Sequence, residues 1–216
     1  MSLGFVVGES KPTSVTAITS RSLSVGEYIK ISIDEGEILG LVERSSVSSA
    51  AFTDVKNFHE AEESTEIADI NKRDKTFTAH IGILGFLDNL RKGQSIIPAI
   101  PPIPGTEITQ PTNQDLEEIF SPKKEGWLKI GNLLRNKEIE AKINLDKIVS
   151  RHLGILAMTG MGKSNLVSLI TKKISEVKGT VIIFDYHNDY TTLNIPNVNV
   201  IDAKINPRLL EADQFS

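Results

Sequence analysis

The feature that most constrains this chain is the run from Gly154 to Asn165, Gly-Ile-Leu-Ala-Met-Thr-Gly-Met-Gly-Lys-Ser-Asn. An apolar segment, residues 153–156, leads into a small-residue turn. Leu166, Val167, Leu169 and Ile170 then follow at helical spacing. Strand, glycine-rich turn and helix in that order form the context a phosphate-binding loop requires. Gly160 and Gly162 let successive backbone N–H groups face one point, and the helix dipole adds its positive end there. The pattern assigns Thr159, Gly160, Met161, Gly162, Lys163, Ser164 and Asn165 to the phosphates of ATP. Lys163 would reach the β- and γ-phosphates as a point charge, and Ser164 would offer its hydroxyl to the nucleotide's magnesium ion. Ala157 stands where the strict pattern has glycine, a difference of one methyl that leaves the phosphate-facing positions intact.

Bulk properties set outer limits. The 216 residues allow one large or two small domains, and 39% hydrophobic content is enough to build cores. No apolar run approaches the roughly 20 residues of a membrane span, and the N-terminus lacks a signal-peptide pattern. The absence of cysteine excludes disulfides and thiolate metal sites and fits a cytoplasmic location. A net charge of −4 excludes a generally basic nucleic-acid binder, so any DNA contact must come from a local patch or from oligomerisation.

Residues 1–95 read as a small β-barrel or sandwich. Residues 3–8, 15–18, 28–33, 38–42 and 76–86 are rich in β-branched side chains, with period-two alternation through Ile29, Ile31, Ile33 and through Phe77, Ala79, Ile81, Ile83. Asp34-Glu35-Gly36 predicts a hairpin, and an acidic insertion interrupts the strands at about 45–75. His59 and His80 stand alone, without a second ligand at metal spacing. Five of the nine prolines fall in residues 96–112, which predicts an extended strap without ladder bonding, its isoleucines lying against protein. The strap and a short capped helix at 113–120 fill residues 96–125. From 126 to 216 the chain reads as the first part of an α/β phosphate-loop domain. It opens with a hairpin and continues through the loop, a helix at about 163–177 and a buried parallel strand at 181–184. A strand at 198–201 and a helix start at Asn206-Pro207 are expected beyond it. A sheet of this kind needs more strands, so the sequence reads as a fragment.

A second motif, Phe184-Asp185-Tyr186-His187-Asn188-Asp189-Tyr190, follows the 181–184 strand at the carboxyl edge where α/β folds bind ligands. Asp185 or Asp189 could assist magnesium or orient a water as a catalytic acid. The segment could equally be a hydrogen-bonded corner that shapes the site.

Arg151-His152, the glycine-rich loop and the Asp185–Asp189 motif together resemble the HerA family, hexameric and chiefly archaeal DNA translocases of the HerA–FtsK superfamily. Gly36-Glu37-Ile38-Leu39-Gly40-Leu41-Val42 and Pro101-Pro102-Ile103-Pro104-Gly105 resemble the N-terminal barrel of that family. The resemblance implies a barrel of the HerA/ATP-synthase type followed by the start of a RecA-like ATPase domain. It also implies a homo-hexamer that uses ATP and magnesium to move along double-stranded DNA. Such a translocase or helicase works with a NurA-type nuclease in end resection and repair, with no membrane involved. The family's catalytic glutamate and arginine finger are expected beyond Ser216, so the 216 residues alone are expected to lack hydrolysis. Two other readings stay open, a non-motor nucleotide-binding assembly or docking protein and a relative of rotary ATPase subunits.

Overall fold

The computed structural model describes residues 2–70 and 75–202, and of 66–70 only the backbone. The chain divides into two compact units, Met1–Ile143 and Asn144–Ser216. The first is organised by a closed barrel. Its strands are β1 (Ser2–Lys11), β2 (Ser14–Thr19), β3 (Tyr28–Ile33), β4 (Gly36–Ser49), β5 (Lys75–Phe86) and β6 (Glu107–Thr109), in spatial order β1-β2-β5-β4-β3-β6. Every pairing is antiparallel.

The expected alternation decides which residues face inward. Val15 and Ala17 of β2, Ile29 and Ile31 of β3, Ala79 and Ile81 of β5, and Ile108 of β6 fill one core with Val6, Ile38 and Val42. Each fully buried Val or Ile side chain contributes about 1.5–3 kcal/mol. Ile33 pairs with Gly36 across the Asp34–Glu35 turn, and Gly36 takes the positive φ of 139° that the sequence anticipates.

Closure depends on the proline-rich stretch, and here the structure corrects the sequence reading. Glu107–Thr109 was expected in a strap without ladder bonds, yet β6 pairs with β1 on one side and β3 on the other. Val6 of β1 also exchanges two bonds with the strap, donating its N–H to Thr106 O at 2.9 Å and accepting from Gly105 N–H at 2.8 Å. Proline removes a donor only at its own position, so the proline-free Glu107-Ile108-Thr109 is free to pair. Of the isoleucines expected to lie against protein, Ile108 does, but Ile100 and Ile103 do not. Pro98 is fully buried, whereas Ile100 and Ile103 are 65% and 73% exposed. Where the strap crosses β5, Gly85 has φ 142°, and a Cβ there would lie 2.9 Å from the Ile96 carbonyl oxygen.

The acidic insertion resolves into a continuation of β4 and β5, paired as far as Ser49 and Lys75, and the helix α1 (Phe58–Ile70). His59 lies 3.9 Å from Glu63, and His80 Nδ1 is 3.0 Å from the Thr16 hydroxyl on the outside of the barrel.

A second core lies outside the barrel. The helices α2 (Leu87–Arg91) and α3 (Asn113–Phe120) and the hairpin β7 (Trp127–Asn132) with β8 (Glu140–Asn144) bring Leu87, Leu116, Leu133 and Ile139 onto Leu39. Tyr28 and Phe120 join it with ring centroids 5.0 Å apart. Thr112 starts α3 with a full capping box. Its hydroxyl accepts from Asp115 N–H at 3.1 Å, and its own N–H donates to Asp115 Oδ2 at 3.0 Å. Arg91 binds the other carboxylate oxygen of Asp115 at 2.6 Å and so ties α2 to α3. Burial pushes the Asp115 carboxyl up, but hydrogen bonding to Thr112 and the charges of Lys30 and Arg91 outweigh it and hold the group below its usual range.

The second unit contains α4 (Leu145–Ser150) and α5 (Lys163–Glu176). The strands expected at 153–156, 181–184 and 198–201 do not form ladders. Leu156 and Phe184 are 98% and 95% exposed rather than buried. A parallel strand needs neighbours for its backbone groups and cover on both faces, and the described residues supply neither here. The expected helix start at Asn206-Pro207 lies outside the described residues.

Candidate functional site

The sequence places the loop at the N-terminus of α5, and the structure shows what the local geometry offers there. Gly160 and Gly162 take φ values of 82° and 87°, a left-handed conformation that side chains with a Cβ rarely adopt. Gly162 is the N-cap residue, and no side chain caps the helix. The first N–H groups of an α-helix have no partner within it, so they point out of the end of α5 as donors toward an anion. Lys163 opens the helix, is exposed, and forms no ion pair among the described residues. Thr159 and Gly160 form the turn before the helix, in which Met161 N–H donates to Met158 O at 3.2 Å. Thr159, Met161 and Asn165 are likewise exposed around it.

Helix α5 itself ends as the Lys178-Gly179 pair predicts, with one refinement. Lys178, not the glycine, carries the positive φ, 62°. Lys178 N–H bonds to Ser175 O and Gly179 N–H to Ile174 O, both at 2.9 Å, a Schellman closure. Glycine is needed at 179 because a Cβ there would lie 2.5 Å from Ile174 Cγ2.

The Asp185–Tyr190 segment meets this loop. Ser164 Oγ donates to Asp189 Oδ2 at 2.9 Å. Asp185 turns its carboxylate back on its own chain, accepting from Asp189 N–H at 3.0 Å and from Tyr190 N–H at 2.9 Å. Asn188 sits between them at φ 60°, a conformation asparagine tolerates better than most residues. Of the two acids singled out from sequence, only Asp189 reaches the loop. Sequence reasoning offered a catalytic acid or a hydrogen-bonded corner, and the geometry contains the corner at Asp185. The signal for it was present in an Asp followed by Asn-Asp, the chemistry of local side-chain-to-backbone turns. The contact from Ser164 to Asp189 had no local signal. Arg151 and His152 are exposed.

A magnesium ion fits these donors. Ser164 would supply a hydroxyl oxygen, of the kind that hard cation takes, with waters and phosphate completing its shell, while its proton is held by Asp189. No group of three or more metal-binding side chains occurs among the described residues, so the protein would share the ion with a nucleotide rather than cage it.

Comparison with known proteins now decides the family. Residues 128–216 match the family described as "Helicase HerA, central domain". The chain is 35% identical over 216 residues to the DNA double-strand break repair helicase HerA of Sulfurisphaera tokodaii. The chain belongs to the HerA helicase family. A probable helicase of Methanocaldococcus jannaschii is 34% identical over 209 residues, covering 94% of this chain, and HerA of Sulfolobus acidocaldarius is 33% identical over all of it. The match falls on the N-terminal portion of these relatives, and the chain spans only 40–42% of their length. The central-domain match covers the loop, α5 and the Asp185–Tyr190 segment, whereas the barrel lies before it.

Proposed function

We propose that this chain is the barrel and the nucleotide-binding start of an ATP-dependent, double-stranded DNA translocase or helicase acting in DNA repair. The observation that carries the reading is the uncapped N-terminus of α5, with the exposed Lys163 beside it and Ser164 tied to Asp189. Backbone N–H groups at the helix end and Lys163 would hold the nucleotide phosphates, with Thr159, Gly160, Met161, Gly162 and Asn165 shaping the cradle. Ser164 would hold magnesium through the nucleotide. Magnesium, when bound, neutralises phosphate oxygens in such sites. The two acids near the loop are committed to hydrogen bonds, one of them entirely to backbone. The resemblance to the HerA family, rather than these hydrogen bonds, is what assigns turnover to a catalytic glutamate and an arginine finger beyond Ser216.

Relatives of matching sequence are named as double-strand break repair helicases, which supports DNA as the track and end resection as the process. Work as a homo-hexamer in the cytoplasm, together with a NurA-type nuclease, belongs to the same proposal. No helix among the described residues is long and apolar enough to cross a membrane. Ring building or nuclease docking would use the outer side chains of the closed barrel and the β4–β5 extension that runs beyond it to Ser49 and Lys75.

The test is DNA-stimulated ATP hydrolysis in the full-length helicase context. Lys163→Ala should lower turnover by about 10²–10³, the usual cost of losing one preorganised donor to the reacting group. Ring assembly, measured by light scattering, should be retained. Near-normal hydrolysis by Lys163→Ala would sink the nucleotide assignment. Hydrolysis that duplex DNA does not stimulate would favour a nucleotide-dependent scaffold over a motor.

A further inference from the structure

We propose that Asp189 is a positioning residue that fixes the direction of the Ser164 hydroxyl for magnesium, and that Asp185 is the clasp that fixes Asp189. The inference rests on the nucleotide reading above and assigns separate tasks to the two acids.

A serine hydroxyl has one proton and two lone pairs, and it rotates freely unless something holds the proton. In this structure Asp189 Oδ2 holds it at 2.9 Å. With the proton committed to Asp189, the lone pairs of Ser164 Oγ are turned away from that carboxylate and remain available to a cation. A hydrogen bond to an ionised acceptor also makes the oxygen a better donor of electron density, and charge-assisted bonds of this kind are roughly twice as strong as neutral ones. Asp189 thus acts on the metal through Ser164. It approaches from a segment 25 residues further along the chain, so the contact exists only if that segment is held in place.

The clasp does that holding. Both oxygens of Asp185 are used, one on Asp189 N–H and one on Tyr190 N–H. Two acceptor bonds from one carboxylate close the turn 185–190 around Asn188, whose φ of 60° the turn requires. A group with both oxygens occupied by its own backbone is poorly placed to take a proton from water or to bind metal directly. Asp185 therefore organises the turn, and Asp189 presents its carboxylate to the loop.

The experiment measures ADP affinity of the 216-residue chain, with magnesium and with the metal chelated, by fluorescence of a labelled ADP. The ratio of the two affinities is the contribution of the metal. Asp189→Ala should reduce that ratio by about ten- to hundredfold while leaving the metal-free affinity unchanged. Asp189→Asn keeps a carbonyl acceptor for the hydroxyl and should recover part of the ratio. Asp185→Asn replaces one acceptor oxygen with an amide nitrogen that cannot receive an N–H, so it should reproduce the loss. In a Ser164→Ala background, Asp189→Ala should have no further effect, because there is no hydroxyl left to direct. Additive losses in the double variant would make Asp189 a direct metal ligand and overturn the proposal. A fall in metal-free affinity equal to the fall with magnesium would make it merely structural, with the same result. Absence of ADP binding by the unsubstituted chain would instead remove the nucleotide reading, and this inference with it.

Discussion

The barrel and the second unit treat their apolar residues in opposite ways. In the barrel, Ile29, Ile31, Ile38 and Ile81 are completely buried, and every strand has neighbours on both sides. In the second unit, Ile182 and Phe184 are 78% and 95% exposed, on segments whose composition is just as strand-like. The contrast shows that β-propensity describes a surface waiting for cover, not a strand in itself. The barrel supplies its own cover by closing. An α/β sheet is covered by layers contributed from many parts of a chain, and residues 144–202 contribute only α5 as a substantial helix.

The largest effect that would sharpen this comparison is a truncation inside the barrel. Ile31→Ala should destabilise the first unit by about 2–5 kcal/mol, the usual cost of a large-to-small change in a closed core. Urea unfolding followed by the fluorescence of Trp127, which lies in the same unit, measures it. A loss below about 1 kcal/mol would show that the barrel is loosely packed.

A smaller effect is expected at the α2–α3 junction. Thr112→Ala removes the cap of α3 and should cost about 1 kcal/mol. The acid dependence has a definite sign. Asp115 has a folded-state pKa held below its unfolded value, so its contribution is fully present above about pH 4 and is lost as pH falls through the folded value. Asp115→Asn should flatten the acid limb of the stability curve, read from unfolding midpoints between about pH 2 and pH 5. An unchanged acid limb would detach the carboxylate from the stability of this unit.

The smallest effect should come from the second unit. Phe184→Ala in this chain should change stability by no more than about 0.5 kcal/mol, because an exposed ring gives up little on removal. Scanning calorimetry would measure it. A loss as large as that of Ile31→Ala would break the comparison, since it would place Phe184 under cover.

Some parts of the molecule were readable because their cause is local. Strand-rich composition marked five segments that fall within β1 to β5, alternation picked out the inward Ile29, Ile31, Ala79 and Ile81, a short capped helix was expected at 113–120, and Gly162-Lys163 marked the start of α5. These depend on torsional preference, on a side chain reaching its own backbone, or on period-two and period-3.6 patterning, and each is complete within a few residues. The order of the elements along the chain follows from them.

Other features were set only by tertiary structure. The sixth barrel strand comes from a stretch whose composition argues against strands, and it pairs only because β1 and β3 leave a gap between them with bonds to satisfy. The strap buries Pro98 and exposes Ile100 and Ile103 because its backbone bonds, not its hydropathy, fix which side faces the barrel. The meeting of Ser164 with Asp189 joins two segments with no local signal for each other. Sequence alone supplied the chemical groups of the site. Their arrangement, with the Ser164 hydroxyl on the Asp189 carboxylate and the Asp185 carboxylate on two backbone N–H groups, depends on distances that arise only when the chain has folded.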